Sequence, residues 1–181
     1  MLAFTLVFNL LFALNSLATD LTLGETPTQV CFSPNKGCTE AIIRELDSAK
    51  SEILVQAYSF TSTPIAEALL AAHKRGVQVK AILDKSQRGA RHTSASFLAD
   101  SGIPTYIDNS HAIAHNKIII IDRTTLITGS FNFTKAAEEK NAENLLILRS
   151  PRLAEVYVEN WSSHVRHSEV YRRQYSEANS N

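Results

Sequence analysis

HNKIIIID, residues 115–122, places four consecutive isoleucines between a pair of basic side chains and an aspartate. Such a run of β-branched residues predicts a strand that is buried on both faces of a sheet. Because side chains alternate along a strand, His115 and Lys117 should share one face and Asp122 should point to the other. This pairing suits a phosphate group, since an imidazole can attack phosphorus or transfer a proton and an ammonium can neutralise oxygens.

A second stretch, GSFNFT at residues 129–134, follows closely. Ser130 and Asn132 are two positions apart, so they share a face if the chain is extended there. Both carry uncharged hydrogen-bond donors, and Gly129 would let the backbone approach a ligand closely. The two stretches together predict a phosphate-binding site.

The pattern H-x-K-x4-D followed by G-S-x-N resembles the active-site motif of the phospholipase D superfamily. The longer run GSFNFTKAAEEKNAENLLIL, from Gly129 to Leu148, resembles the small bacterial phospholipase D-like endonucleases in particular. The similarity extends roughly from Val30 to Arg166, and it includes AYSFTS at residues 57–62 and KRGVQVKAILD at residues 74–84. A motif of this length is far more specific than any one of its residues.

Alternation of apolar strands with amphipathic helices predicts an α/β fold. The resemblance implies the phospholipase D-like version, with a mixed or largely parallel sheet flanked by helices on both faces. Strands are predicted at residues 28–32, 53–57, 77–83, 104–107, 126–129 and 143–148. Helices are predicted from a Thr39 cap to residue 50, from Pro64 to Gly76, and over residues 94–101 and 151–166, with a mobile, charged connection at residues 135–140.

Composition favours one globular domain. The chain has 181 residues, of which 44% are hydrophobic and 20% are charged, and its formal net charge is zero. A neutral chain is not held on nucleic acid by bulk charge, so any such contact needs a local basic cluster. The loop from Asp84 to Thr93 offers one in Lys85, Arg88 and Arg91. The alternative is an ordinary solvated loop.

The amino terminus carries an export signal pattern. Residues 2–18 contain no charge, and Ser16-Leu17-Ala18 fits signal peptidase cleavage before Thr19, although no Lys or Arg precedes the apolar run. We therefore expect a signal peptide over residues 1–18, a polar lead-in over 19–27, one catalytic domain over 28–181, and a periplasmic or secreted location. The alternative is an uncleaved anchor, which would place the chain at a membrane.

Cysteine usage agrees with export. Cys31 and Cys38 flank the turn-prone sequence FSPNKG. In an oxidising compartment this spacing predicts one local disulfide, and the alternative is two free thiols.

We expect no metal and no cofactor. His111 and His115 are four apart, which on a helix could bind an ion, but their context predicts a loop and a strand, and Lys117 would repel a cation. In the chemistry that the resemblance implies, Lys117 and Asn132 would stabilise the negative charge of the phosphate, as Mg²⁺ does in other nucleases.

The motif occurs once, although in-line phosphoryl transfer needs a nucleophile on one side and an acid on the other. Two chains meeting about a two-fold axis supply both groups most simply, so we predict a homodimer. The resemblance implies that one His115 attacks, that the partner's His115 protonates the leaving group, and that Lys117 and Asn132 stabilise the phosphate oxygens. It gives Ser130 a supporting role and makes Glu143 the carboxylate that orients the nucleophile. We expect Asp122 to be structural.

The resemblance implies an endonuclease that cleaves DNA, with RNA as a second substrate and with little sequence specificity, since the sequence contains no base-reading motif. One alternative is phospholipase activity on phosphatidylcholine or cardiolipin. Another is a non-catalytic nucleic-acid-binding module, which the presence of both His115 and Lys117 argues against.

Overall fold

The computed structural model describes residues 19–89 and 93–172, which form one mixed α/β unit. Eight described strands form one sheet: β1 (Thr28–Ser33), β2 (Glu52–Ala57), β3 (Gln78–Asp84), β4 (Thr105–Asp108), β5 (Lys117–Ile121), β6 (Thr125–Gly129), β7 (Glu143–Arg149) and β8 (Glu169–Val170). The described helices are α1 (Cys38–Ser48), α2 (Thr63–Lys74), α3 (Ser94–Asp100), α4 (Lys135–Glu139) and α5 (Pro151–His167), with a short 3₁₀ turn at Lys85–Gln87.

The strand order is β1-β7-β6-β5-β2-β3-β4-β8. The neighbours β2, β3 and β4 run parallel, because α2 and α3 carry the chain back between them, and the remaining neighbours are antiparallel. The prediction of a mixed sheet is therefore confirmed, with the parallel part limited to three strands.

The isoleucine strand β5 lies in the middle of this sheet and is buried on both faces, as predicted. Ile119 and Ile121 belong to the larger core, which packs under α1, α2 and α3. Ile118 and Ile120 belong to the smaller core on the opposite face, which α5 covers with Ala154, Val158 and Trp161. Helices thus flank both faces of the sheet.

The strand directions bring several chain ends to one edge of the sheet. Strands β1, β2, β3, β4 and β6 end there, and β5 and β7 begin there. We call this the motif edge, because His115 precedes β5 at this edge and Ser130 follows β6. Residues far apart in sequence meet at the motif edge.

Helix α1 begins differently from the prediction. Thr39 is not its cap: the helix starts at Cys38, and Gly37 occupies the cap position with a φ of 74°. The Glu138 carboxylate accepts hydrogen bonds from the backbone N–H groups of Gly37 (3.1 Å) and Thr39 (2.7 Å). The expected mobile connection at residues 135–140 instead contains α4, which carries this capping carboxylate.

A disulfide joins Cys31 and Cys38, linking β1 to the start of α1. Both cysteines are buried. The two thiols expected as the alternative are therefore not free in this structure.

The predicted signal peptide over residues 1–18 lies outside the described residues, and so does Arg91. Among the described helices, none has the length and the hydrophobicity that crossing a membrane requires.

Candidate active site

The site begins at the His115–Lys117 pair, at the start of β5. The Lys117 Nζ lies 3.1 Å from His115 Nδ1 and donates to the His115 carbonyl oxygen at 2.8 Å. His115 is exposed, whereas Lys117 is only 7% exposed. The two side chains therefore share a face, as the strand alternation predicted, and the imidazole is the one that a substrate can reach.

Neighbouring strands hold the backbone around this pair. The Ala114 N–H donates to the buried Asp84 carboxylate at the end of β3, at 2.7 Å. The Asn116 carbonyl accepts from the Tyr58 N–H at the end of β2, at 2.8 Å. Because both bonds are to residues at the ends of adjacent strands, the sheet itself positions His115.

Tyr58 also contacts both members of the pair through its ring. The ring centroids of Tyr58 and His115 are 4.6 Å apart, at an interplanar angle of 46°. Lys117 Nζ lies 5.2 Å from the Tyr58 ring centroid, within cation–π range. Tyr58 therefore restricts the imidazole and stabilises the ammonium.

The surroundings of Lys117 make its ammonium group a stronger acid than that of a free lysine. Burial lowers the pKa of Lys117, and the Glu143 carboxylate opposes part of that shift, with a net pKa below the ordinary value. The Glu143 charge therefore acts on the site through Lys117.

Gly129 ends β6 in close contact with β7. A Cβ at this position would lie 2.2 Å from the carbonyl oxygen of Asn144, and the Gly129 φ is 151°. The missing side chain thus allows close approach of β7, rather than only of a ligand, although Gly129 also borders the cavity described below.

Ser130 and Glu143 contact each other. The Ser130 hydroxyl donates to Glu143 Oε2 at 2.6 Å and accepts from the Asn144 N–H at 3.1 Å. The other Glu143 oxygen accepts from Asn141 Nδ2 at 3.0 Å. Glu143 was expected to orient His115, but its hydrogen bonds in this structure are to Ser130, which directly follows β6, and to Asn141.

Asn132 lies between two buried phenylalanines, Phe131 and Phe133. Phe133 forms a bridge to Phe60, and its carbonyl accepts from the N–H groups of Thr61 and Ser62 just after β2. This bridge brings the second half of the motif beside the strand end that carries Tyr58. The Asn132 Oδ1 is shielded from solvent and has no hydrogen-bond partner among the described residues.

Asp122 lies at the opposite end of β5 from His115. Its carboxylate accepts hydrogen bonds from the backbone N–H groups of Lys50, Ser51 and Glu52 and from the Ser51 hydroxyl, at 2.8 to 3.0 Å. Burial raises the pKa of Asp122, but these hydrogen bonds outweigh it and the net pKa is lowered. Asp122 thus stabilises the turn between α1 and β2 and points away from the site.

A family model described as "Cardiolipin synthase, PLD-like domain" matches residues 42–165, more than half of the chain. The chain is 43% identical over 141 residues to a phospholipase D from Rickettsia typhi, covering 78% of this chain and 69% of that protein. The chain belongs to the phospholipase D superfamily.

Solved structures agree with this membership. The crystal structure of the phospholipase D family member Nuc from Salmonella typhimurium matches with a TM-score of 0.77 and 43% identity, covering 82% of this chain and 99% of that one. NucT from Helicobacter pylori shares the fold, with a TM-score of 0.76 at 21% identity, covering 81% of this chain and 100% of that one. The chain therefore belongs to the small single-domain type of this superfamily. The activity of this superfamily is phosphodiester hydrolysis.

An open cavity of about 660 Å³ adjoins the phospholipase D motif. His115, Lys117 and Gly129 border it on the sheet side, and Leu153 and Tyr157 border it from α5. Leu153 and Tyr157 are half-buried. They give the cavity one apolar wall beside the His115 imidazole.

The two described cations of the predicted basic cluster contact other parts of the chain. Lys85 Nζ donates to the His111 carbonyl at 2.9 Å, and Arg88 pairs with Glu169. Both cations are thus engaged by the chain itself, while Arg91 lies outside the described residues.

Tyr58 is the site residue that sequence reasoning missed. It lies within AYSFTS, which carried part of the resemblance, but nothing in its local pattern distinguishes it from an aromatic core residue. Only the antiparallel pairing of β2 with β5 places it beside His115.

Proposed function

We propose that this chain is a metal-independent endonuclease that hydrolyses DNA, and RNA as a second substrate, through a phosphohistidine at a homodimer interface. The observation that carries the chemistry is the 3.1 Å contact between Lys117 Nζ and His115 Nδ1 at an open cavity. A cation so close to an exposed imidazole is where a phosphodiester anion would bind, with phosphorus within reach of the ring.

The reaction proceeds in two displacements. First, one His115 nitrogen attacks phosphorus, a P–N bond forms, the P–O bond to the leaving group breaks, and the leaving oxygen takes a proton from a second imidazole. Then water attacks phosphorus, that second imidazole accepts the water proton, and the P–N bond breaks. Both imidazoles end in their starting states.

The protonation of His115 explains why two copies are needed. As an ammonium, Lys117 can only donate, so His115 Nδ1 accepts and Nε2 carries the ring proton. That neutral form cannot serve as the acid, which must be a protonated imidazolium, whereas the nucleophile must be a neutral imidazole with a free Nε2 lone pair. The two steps thus require two imidazoles in different protonation states, and the second is proposed to be the partner subunit's His115.

The other motif residues are assigned around these two groups. Lys117 neutralises phosphate oxygens, and Asn132 offers amide donors from the adjacent segment. Ser130 and Glu143 are proposed to support the site as a hydrogen-bonded pair, which stabilises the charge on Lys117. A turn of the Glu143 side chain from Ser130 toward His115 would shift the ring proton to Nδ1 and favour the nucleophile.

Two observations support nucleic acid as the substrate class. The residues from Gly129 to Leu148 resemble the small bacterial phospholipase D-like endonucleases, and the alignment with Nuc covers 99% of that chain. Cleavage of a sugar–phosphate backbone also needs no base contact, which fits a sequence that contains no base-reading motif.

We also propose that the mature protein acts in the periplasm or outside the cell. The signal pattern at residues 1–18 suggests export, and the Cys31–Cys38 disulfide suits an oxidising compartment. Release from the membrane then depends on cleavage before Thr19.

Phospholipid hydrolysis is the second candidate, and a specific feature favours it. Ile113, two residues before His115, is 56% exposed, and Leu153 and Tyr157 form an apolar cavity wall. An acyl chain or a membrane surface could contact these groups. The mitochondrial cardiolipin hydrolase of Xenopus laevis is 32% identical over 136 residues, covering 69% of this chain and 64% of that protein.

A substrate panel separates the two candidates. The mature chain, in excess EDTA, would be incubated with plasmid DNA, single-stranded DNA, RNA, and vesicles of phosphatidylcholine with or without cardiolipin. We expect cleaved DNA and intact lipid. Lipid hydrolysis with intact nucleic acid would overturn the endonuclease proposal and keep the same catalytic residues for the phospholipase.

A further inference from the structure

Four potential metal-ligating side chains meet at the end of β4, away from the catalytic motif. Asp108 ends β4, His111 lies in the loop that follows, and His164 and His167 are three apart near the end of α5. Residues at this spacing lie on one face of a helix. Their four candidate ligand atoms all lie within 4.8 Å of one another.

The three imidazoles surround one oxygen of Asp108. Asp108 Oδ2 lies 3.0 Å from His111 Nδ1, 2.7 Å from His164 Nδ1 and 3.4 Å from His167 Nε2. The ring centroids are 4.9 to 5.2 Å apart. Each imidazole therefore presents a nitrogen toward a common centre.

These spacings approach those of a tetrahedral site. Zinc binds imidazole nitrogen and carboxylate oxygen at about 2.0 to 2.2 Å, which puts neighbouring ligand atoms roughly 3.3 Å apart. The three measured oxygen–nitrogen distances bracket that value. Small side-chain rotations would open space for an ion between the oxygen and the three nitrogens.

The ligand types also suit a transition metal rather than Mg²⁺ or Ca²⁺, which prefer oxygen. The Asp108 side chain is fully buried, so it is fixed in place, and His164 is 15% exposed.

We propose that Asp108, His111, His164 and His167 bind one divalent transition-metal ion per chain. The physiological ion would be Zn²⁺. The ion would be structural, since the four side chains complete a tetrahedral shell and leave no position for substrate. His115 takes no part in this site.

The ion would join three separate pieces of the chain: the end of β4, the loop that leads to His115, and the end of α5. Two existing contacts already fix that loop, Lys85 Nζ to the His111 carbonyl at 2.9 Å and Ser110 Oγ to the His167 carbonyl at 3.4 Å. Because these contacts and the Asp108 hydrogen bonds persist without an ion, removal of zinc should lower stability and leave catalysis intact.

The test is zinc binding to untagged mature protein that has been freed of metal with a chelator. Calorimetric titration with Zn²⁺ should give about one ion per chain with a micromolar or tighter Kd. His111→Gln and His167→Gln change partly exposed side chains and should fold, and each should weaken binding more than about 100-fold, since even outer contacts of metal ligands can matter 10- to 100-fold.

Two control variants identify the site. His73→Gln and His115→Asn each remove a histidine outside the cluster, so both should bind zinc like the wild type. No binding by the wild type, or equal binding by His111→Gln and His73→Gln, would overturn the proposal.

A second readout is the thermal midpoint. Zinc should raise the Tm of the wild type and of His73→Gln in a concentration-dependent manner and leave that of His111→Gln unchanged. A Tm that rises equally in all three proteins would place the ion elsewhere and contradict the assignment.

Discussion

His115 has two neighbours of different chemistry. Lys117 supplies a positive charge 3.1 Å from Nδ1, and the Tyr58 ring packs at a centroid distance of 4.6 Å. The imidazole itself stays exposed. An exposed side chain ordinarily samples several rotamers, so these contacts are what hold the ring ready for reaction.

Tyr58 should therefore act as a positioning residue through its ring and not through its hydroxyl. Tyr58→Phe keeps the ring, so its kcat/KM should stay within about 3-fold of the wild type, whereas Tyr58→Ala should lose roughly 10- to 100-fold, mainly in kcat. Steady-state cleavage kinetics would measure both. Equal losses in the two variants would show that the ring contact is not what matters.

Asp122 is the motif residue whose effect should appear in stability. Asp122→Asn keeps the shape and tolerates the positive φ of 50° at this position, but it loses the charge that four donors share. We expect a loss of about 1 to 3 kcal/mol in the free energy of unfolding at pH 7, measured by urea denaturation. Asp47→Asn, on the exposed face of α1, is the matched control.

The pH dependence of this effect has a definite sign. The folded-state pKa of Asp122 lies below its ordinary value of 3.8, so its stabilising contribution is complete above that pH and disappears as the pH falls through the folded-state value. The difference between wild type and Asp122→Asn should therefore shrink below pH 4. A difference that grows in acid would contradict the hydrogen-bonding account.

Among the secondary-structure elements, the motif edge explains why distant residues form one site. The ends of β2 and β6 and the starts of β5 and β7 meet there, because β5 is antiparallel to both of its neighbours. The short helix α4 has a separate function at this edge, since Glu138 caps α1. A charged carboxylate at a helix amino terminus also interacts favourably with the helix dipole.

Replacing Glu138 should therefore destabilise the fold more than replacing its neighbour. Glu138→Gln should reduce the free energy of unfolding by about 1 to 2 kcal/mol, because the capping charge is lost. Glu139→Gln disrupts only an exposed pair with Lys135 at 3.6 Å, so it should change stability by about 0.5 kcal/mol or less. Urea denaturation would compare the two, and equal effects would refute the cap.

Considering the whole molecule, the proposed dimer makes a quantitative prediction about mixed subunits. If each site needs two copies of His115, co-expression of equal amounts of wild type and His115→Asn should give about one quarter of the wild-type activity per chain, since only one dimer in four is intact. Independent sites would give one half. Light scattering would establish beforehand that the mass corresponds to two chains.

Local patterns were enough to predict much of the fold and the position of the motif. The isoleucines of β5, Pro64 at the start of α2 and the His115–Lys117 alternation depend on neighbours within a few residues. The longer partnerships could not be predicted in this way. Glu138 caps α1 from 101 positions away, and His164 reaches Asp108 across 56 positions, so no sequence spacing indicates either contact.

The contacts at the site that could not be predicted also depend on strand pairing. The close contact of Gly129 with Asn144 could not be predicted from the local sequence, because it depends on the register between β6 and β7. Glu143 was expected to orient His115. In this structure its carboxylate accepts a hydrogen bond from Ser130, a contact that follows from the pairing of β6 with β7. The proposed metal site could not be predicted from the four-residue spacing of His111 and His115, because the other proposed ligands lie on β4 and α5.

The most direct test of the central claim is the rate of phosphodiester cleavage by wild type, His115→Asn and His73→Gln in excess EDTA. We expect wild type and His73→Gln to cleave DNA at similar rates and His115→Asn to be slower by about 1,000-fold or more, because the nucleophile and the acid are both lost. Cleavage by His115→Asn within about tenfold of the wild type, or wild-type cleavage that requires an added divalent metal, would contradict a histidine-based, metal-independent mechanism.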